Sequence, residues 1–204
     1  MMEKIIIASS NAGKINEIRS ILPEYEFLGL SDISFSEEIK EDGESFEQNA
    51  LIKARVIHKA CSCTVVADDS GLCTDALNGA PGVLSARFAG VHGDDKKNNE
   101  KLLELMSGVS AEKRTARFIC AAAVVFSDGE EYTAEGRAEG YIAFEESGGN
   151  GFGYDPLFIS RETGISFGEM NEEQKNMISH RKKAFAVLAE IIKNKLQEPD
   201  NEQP

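Results

Sequence analysis

Asp68 and Asp69 stand side by side, just after the β-branched run Thr64-Val65-Val66-Ala67 and just before Ser70-Gly71. Two neighbouring anions repel each other, so the pair suits a shared hard cation such as Mg2+. It equally suits a solvated turn in which one carboxylate bonds the backbone. A short buried strand ending at this pair would put it at the C-terminal edge of an α/β sheet, where such folds place ligands. A second candidate is Ala8-Ser9-Ser10-Asn11-Ala12-Gly13-Lys14-Ile15. It fails as a P-loop, which needs Gly first and Ser or Thr after the Lys. A polar turn from a strand into a helix near Lys14 still offers backbone N–H groups and one cation to an anion, and a plain βα connection accounts for the same residues.

Three further groups carry polar or stacking chemistry. Glu37, Glu38, Glu41, Asp42 and Glu44 form an acidic stretch that a solvated loop explains, with Glu41 the best candidate for a metal because it precedes the helix cap at Ser45. Phe152-Gly153-Tyr154-Asp155 follows a glycine-rich run, where an aromatic ring can stack on a planar ligand and Asp155 can accept an N–H. Ser179-His180-Arg181 opens the last helical pattern and suits an anion or a carbonyl-rich ligand, or merely a cap followed by charges. Together these form an anion cradle, a carboxylate metal site, an aromatic platform and a basic reader, which is the inventory for a nucleoside triphosphate with Mg2+.

The elements that must position these groups read as mixed α and β. Strands are expected at Ile5–Ala8, Tyr25–Leu30, Thr64–Ala67, Arg117–Phe126, Glu131–Ala143 and Leu157–Ile159, with Asp128-Gly129 as a hairpin turn. Helices are expected over Lys14–Leu22, from Ser45 to about Ala60 behind a capping box with Gln48, over Asp94–Met106, and from Ser179 to about Leu196. Gly148 to Gly153 reads as a loop, and Gln197–Pro204 as a polar, frayed tail. No repeat or linker interrupts the chain.

The 204 residues carry 22 Lys and Arg against 35 Asp and Glu, a net charge of −13. That surface repels nucleic-acid polymers and anionic lipid, but leaves room for a small polyanion in a local basic pocket. No apolar run approaches the ~20 residues of a membrane helix, and the short segment before Ile5 is not a signal-peptide core. Cys61, Cys63, Cys73 and Cys120 lack zinc-ligand spacing and read as free thiols of a reducing cytoplasm.

The sequence resembles the inosine triphosphate pyrophosphatase family, also called Ham1-like. Five blocks carry the resemblance in order: Ala8–Lys14; Ser45-Phe46-Glu47-Gln48-Asn49-Ala50-Leu51-Ile52-Lys53-Ala54; Ala67–Leu72; Gly79–Phe88; and Gly151–Phe158 with Ser179-His180-Arg181. Ser9-Ser10 stands where Thr-Gly is common, which keeps a hydroxyl beside Asn11. The resemblance implies an α/β fold with a long mixed sheet flanked by helices, and two lobes around a central cleft, all within a single domain over residues 1–196. It implies a cytoplasmic homodimer that hydrolyses XTP, ITP and dITP to the monophosphate and pyrophosphate. Carried onto this chain, Ser9, Ser10, Asn11, Ala12, Gly13 and Lys14 grip the triphosphate. Asp69 is the catalytic base and holds Mg2+ with Glu41, with Asp68 assisting. Ser70 touches substrate, Phe152 stacks on the base, and Gly153, Tyr154 and Asp155 shape its pocket. Lys175, His180 and Arg181 recognise the purine, and Lys53 and Arg87 support. A general nucleotide pyrophosphatase with another base preference, and a nucleotide-binding regulator without turnover, remain the alternatives. The adjacent carboxylates speak against the regulator, which needs no base.

Overall fold

A computed structural model describes residues 4–197. Six strands form one mixed sheet in the order β2-β1-β3-β4-β5-β6. These are β1 (Lys4–Ile7), β2 (Glu26–Leu28), β3 (Val65–Thr74), β4 (Thr115–Val125), β5 (Glu131–Ile142) and β6 (Phe158–Ser160). β1 pairs in parallel with β2 and β3, and the remaining pairings are antiparallel. The helices are α1 (Ala12–Ile21), α2 (Phe46–Cys61), α3 (Asp95–Leu105), α4 (Glu172–Ile178) and α5 (His180–Gln197).

Local chemistry explains the helix starts. Asn11 caps α1, its side chain accepting the Lys14 N–H at 3.0 Å, and Ser45 caps α2 by accepting the Gln48 N–H at 3.2 Å. The expected capping box is displaced by one residue, because the Gln48 side chain accepts the N–H of Glu44 rather than that of Ser45. α4 was not foreseen: its seven residues sit behind an Asn171–Gln174 capping box, too short to display a helical repeat. Gln197, expected in the tail, belongs to α5, and the rest of that tail lies outside the described residues.

Three apolar clusters arrange these elements. Val66, Cys120 and Val124 face α1 and α5 on one side of the sheet, where Ile18, Phe185 and Leu188 are buried against them. Val65, Ala67, Ala121 and Ala123 face α2 on the other, packed on Ala50, Ala54 and Ile57. A third cluster, around Leu72, Leu102, Phe118, Phe158 and Phe167, builds a second lobe on the far ends of β3–β5 with α3. The four cysteines are free thiols, Cys120 buried and the other three half-buried.

The main departure from expectation is the length of β3. It does not stop at Asp68 but runs on to Thr74, paired to β4 at every residue from Val65. β1 covers its other edge only as far as Val66, after which the chain turns into α1. A strand end does mark the site, but it is the end of β1. Asp68 and Asp69 therefore lie mid-strand, beside the notch that β1 leaves open.

Candidate active site

A cavity of about 590 Å³ opens at this notch between the two lobes. Strand alternation sends adjacent side chains to opposite faces, and this separates the two carboxylates. Asp69 points to the α2 face and lines the cavity. Its Oδ2 accepts from Asn49 Nδ2 at 3.1 Å and its Oδ1 accepts the Ser70 N–H at 3.0 Å. The Lys53 ammonium lies 3.6 Å from Asp69 Oδ1 and 2.6 Å from Glu41 Oε2. Burial raises the Asp69 carboxyl above its ordinary value, with Glu41 adding to the rise and Lys53 and Lys14 opposing it.

Asp68 points to the opposite face, is fully buried and does not line the cavity. Its Oδ2 accepts from Arg181 Nε at 3.2 Å, Arg181 Nη2 at 3.0 Å and Ser70 Oγ at 2.8 Å, and Lys14 Nζ lies 3.3 Å away. Burial works to raise this carboxyl, but Lys14, Arg181 and Lys53 together hold it far below the usual carboxylate range. The expectation that the two aspartates share one cation is thus corrected: Asp68 already has two cations of its own, on the wrong side of the strand.

Ser9, Ser10, Asn11 and Lys14 line the cavity where β1 turns into α1. Ala12 and Gly13 do not, and Gly13 backs Phe152 instead: a Cβ there would sit 2.8 Å from the Phe152 ring, so only glycine lets the ring lie so close. Phe152 also packs over Lys175 Nζ, 4.6 Å from the ring centroid, and over the Arg181 guanidinium at 5.8 Å.

Phe152, Gly153, Tyr154, Asp155, Lys175, His180 and Arg181 all line the cavity. Asp155 Oδ2 accepts the backbone N–H of Phe152 at 2.8 Å, a bond within the protein. The Tyr154 hydroxyl donates to Ser85 O at 2.9 Å. Gly153 is held on both sides by one face of α3, its N–H donating to Asp95 Oδ2 at 2.8 Å and its carbonyl accepting from Asn99 Nδ2 at 3.2 Å. The glycine loop is therefore anchored to the second lobe.

A carboxylate that sequence reasoning did not single out organises two of these side chains. Glu17, buried in α1, takes Lys175 Nζ on Oε1 at 2.7 Å and Arg181 Nη1 on Oε2. Lys175 also donates to Asp155 Oδ2 at 2.6 Å. Arg181 spends four of its five N–H groups on Asp68, Ser70 and Glu17, and Lys175 two of its three, leaving each one uncommitted donor. Asn49 was likewise passed over, although it sits four residues before Lys53 on one face of α2. Glu17 stands three residues after Lys14, a helical spacing that could have drawn it in.

His180 is buried, stacks on Phe118 with ring centroids 4.8 Å apart, and leaves Nδ1 without a partner. Burial, then Arg181 and Lys175, push its pKa well below 6.5, so the ring is neutral in the folded protein. Below pH 6.5 the unfolded chain takes up a proton that the native state refuses. Stability is therefore lost as pH falls, by up to about 1.4 kcal/mol per pH unit for this one group. The difference in unfolding free energy between wild type and His180→Gln should carry that slope from pH 6.5 downward. Urea melts at several pH values check it, and parallel curves would refute it.

The family model described as the Ham1 family matches residues 5–191. The chain belongs to the Ham1 family. A relative from Bacillus subtilis named dITP/XTP pyrophosphatase is 46% identical over 194 residues, covering 94% of this chain and 98% of its own length. The Ham1 protein of Staphylococcus aureus superposes with a TM-score of 0.85 at 39% identity, over 95% of this chain and all of that one. A structure described as nucleoside-triphosphatase / dITP/XTP pyrophosphatase from Mycobacterium abscessus gives a TM-score of 0.75 at 47% identity, over 91% and 98% of the two chains. The Ham1 fold is thus a mixed sheet with helices on both faces and a cleft at the end of β1, and no helix among the described residues is long and apolar enough to cross a membrane.

Proposed function

We propose that this chain is a nucleoside triphosphate pyrophosphatase that hydrolyses XTP, ITP and dITP to the monophosphate and pyrophosphate, removing them from the nucleotide pool. The observation that carries this reading is the convergence in one cleft of the β1–α1 turn, the Asp69–Glu41 carboxylates and the Phe152 platform. The names of the relatives point the same way. By the family resemblance, residues 1–196 work as one two-lobed domain in a cytoplasmic homodimer.

A divalent metal fits the residues present. Glu41 Oε2 and Asp69 Oδ1 already converge on a single cation, the Lys53 ammonium. No group of three or more His, Cys, Asp or Glu able to hold a metal occurs among the described residues. One or two carboxylates completed by substrate phosphates is the donor set Mg2+ prefers. Glu41 and Asp69 would hold it, and when bound it neutralises charge on the phosphate oxygens and orients the pyrophosphate leaving group.

The remaining work falls to the chain's own side chains. Ser9, Ser10, Asn11 and Lys14 receive the triphosphate at the α1 N-terminus, with Ser70 at its edge. Asp69 orients the attacking water and takes its proton. Phe152 stacks on the base. The uncommitted N–H groups of Lys175 and Arg181 face the base as donors, which suits the 6-keto group of hypoxanthine and xanthine and sets a donor against the 6-amino group of adenine. Competition among ITP, XTP, GTP and ATP at equal concentration tests the reading, with pyrophosphate release as the readout. ITP and XTP are expected to exceed ATP by at least roughly 10²-fold in kcat/KM, and EDTA to abolish turnover until Mg2+ is restored. Equal hydrolysis of ITP and ATP would remove the base-recognition argument, and full activity after exhaustive chelation would remove the metal.

A further inference from the structure

Five Lys or Arg side chains line the cleft: Lys14, Lys53, Arg87, Lys175 and Arg181. Four of them are already committed to carboxylates. Lys14 pairs with Asp68, Lys53 with Glu41 and Asp69, Lys175 with Glu17 and Asp155, and Arg181 with Asp68 and Glu17. Arg87 differs. Half-buried on the cleft wall, its guanidinium makes no hydrogen bond, ion pair or ring contact with any described residue.

The backbone that presents Arg87 is nonetheless firmly held. Arg87 closes the 3-10 turn Gly82–Arg87. Within that turn Ser85 Oγ accepts the Leu72 N–H at 2.9 Å and donates to Gly82 O at 2.6 Å. The Tyr154 hydroxyl and the Gly93 N–H fasten it further, through Ser85 O and Ala86 O. Gly71, two residues past Asp69, lies so close under the turn that a Cβ would run into Ser85 Oγ and Gly82 O. A rigid scaffold thus holds an uncompensated guanidinium on the wall of the cleft that Asp69 also lines, in a chain of net charge −13. An arginine built into a cleft without an internal partner is matched by an anion that the ligand brings, and its planar fork fits two phosphate oxygens at once.

We propose that Arg87 is a substrate-binding residue whose guanidinium grips the phosphate chain of the nucleotide from the wall of the second lobe. The proposal rests on the pyrophosphatase reading above. Because the other four cations are largely neutralised, Arg87 supplies most of the net positive charge that the protein itself offers the triphosphate. It touches phosphate and not base, so it raises affinity and turnover for every triphosphate alike.

The test compares wild type, Arg87→Met and Arg87→Lys in steady-state turnover of ITP and ATP, and in calorimetric binding of inorganic pyrophosphate with Mg2+. Arg87→Met should lower kcat/KM for ITP by about 10²-fold, the usual scale for one lost donor to developing charge. It should weaken pyrophosphate binding at least about tenfold and leave the ITP-to-ATP ratio unchanged. Arg87→Lys should recover part of the loss, since it keeps the charge but not the fork. As the Arg87 guanidinium makes no hydrogen bond, ion pair or ring contact with any described residue, the melting temperature should not move. Wild-type turnover with Arg87→Met equal to it in rate and pyrophosphate affinity would overturn the role of Arg87 alone, as would an altered ITP-to-ATP ratio. A wild-type protein that neither cleaves ITP nor binds pyrophosphate would overturn the pyrophosphatase reading itself.

Discussion

Asp69→Asn is expected to lower kcat for ITP by about 10²–10⁴-fold, the range for a lost general base, and further still if a metal charge is lost with it. The amide keeps the shape of the carboxylate and can still accept the Ser70 N–H, while Lys53 keeps Glu41 as a partner at 2.6 Å. The circular dichroism spectrum should therefore be that of wild type. What disappears is a basic oxygen beside the cleft and one of the two carboxylates converging on the Lys53 position. A variant retaining more than about a tenth of wild-type kcat falls outside the general-base range and would move that role elsewhere.

Arg181→Met should cost about 3–5 kcal/mol of stability, the penalty for removing one partner of a buried ion pair. At this chain length that is a fall in melting temperature of roughly 6–20 °C. Arg181 is 1% exposed and its partners Asp68 and Glu17 are buried with it. Without the guanidinium, Asp68 retains one cation, Lys14, with the Ser70 hydroxyl and the weak Cys120 thiol donor, and Glu17 retains Lys175. Adding Asp68→Asn to Arg181→Met should restore part of the loss, because a neutral amide needs no counter-charge. A melting temperature within about 2 °C of wild type would contradict a penalty on the scale of a broken buried pair. Sequence reasoning assigns Arg181 to the purine, so that its loss hits ITP harder than ATP. The structure adds a scaffolding role, and the selectivity comparison belongs at a temperature where the variant remains folded.

Much of the site was legible in the sequence because its signals are local. The Ser45 cap, the Asp128-Gly129 turn and the aromatic segment after the glycine loop each reside within a few consecutive residues, and each took the place expected of it. Where pairing across the chain decides the outcome, the sequence was silent or misleading. Asp68-Asp69 reads as a strand end because the apolar run stops there, yet β4, some 50 residues away in sequence, holds β3 extended through both aspartates to Thr74. That continuation puts the two carboxylates on opposite faces, makes one a buried counter-ion and leaves the other in the cleft. Glu17 meets Lys175 from 158 residues away, and Arg181 from 164. Arg87 is distinguished only by what it does not touch. The short blocks of sequence determine which residue types reach the cleft. Which of them are neutralised there, and which remain free for a ligand, depends on long-range packing, because a charge is compensated by whatever lies within a few ångströms in space, irrespective of its distance along the chain.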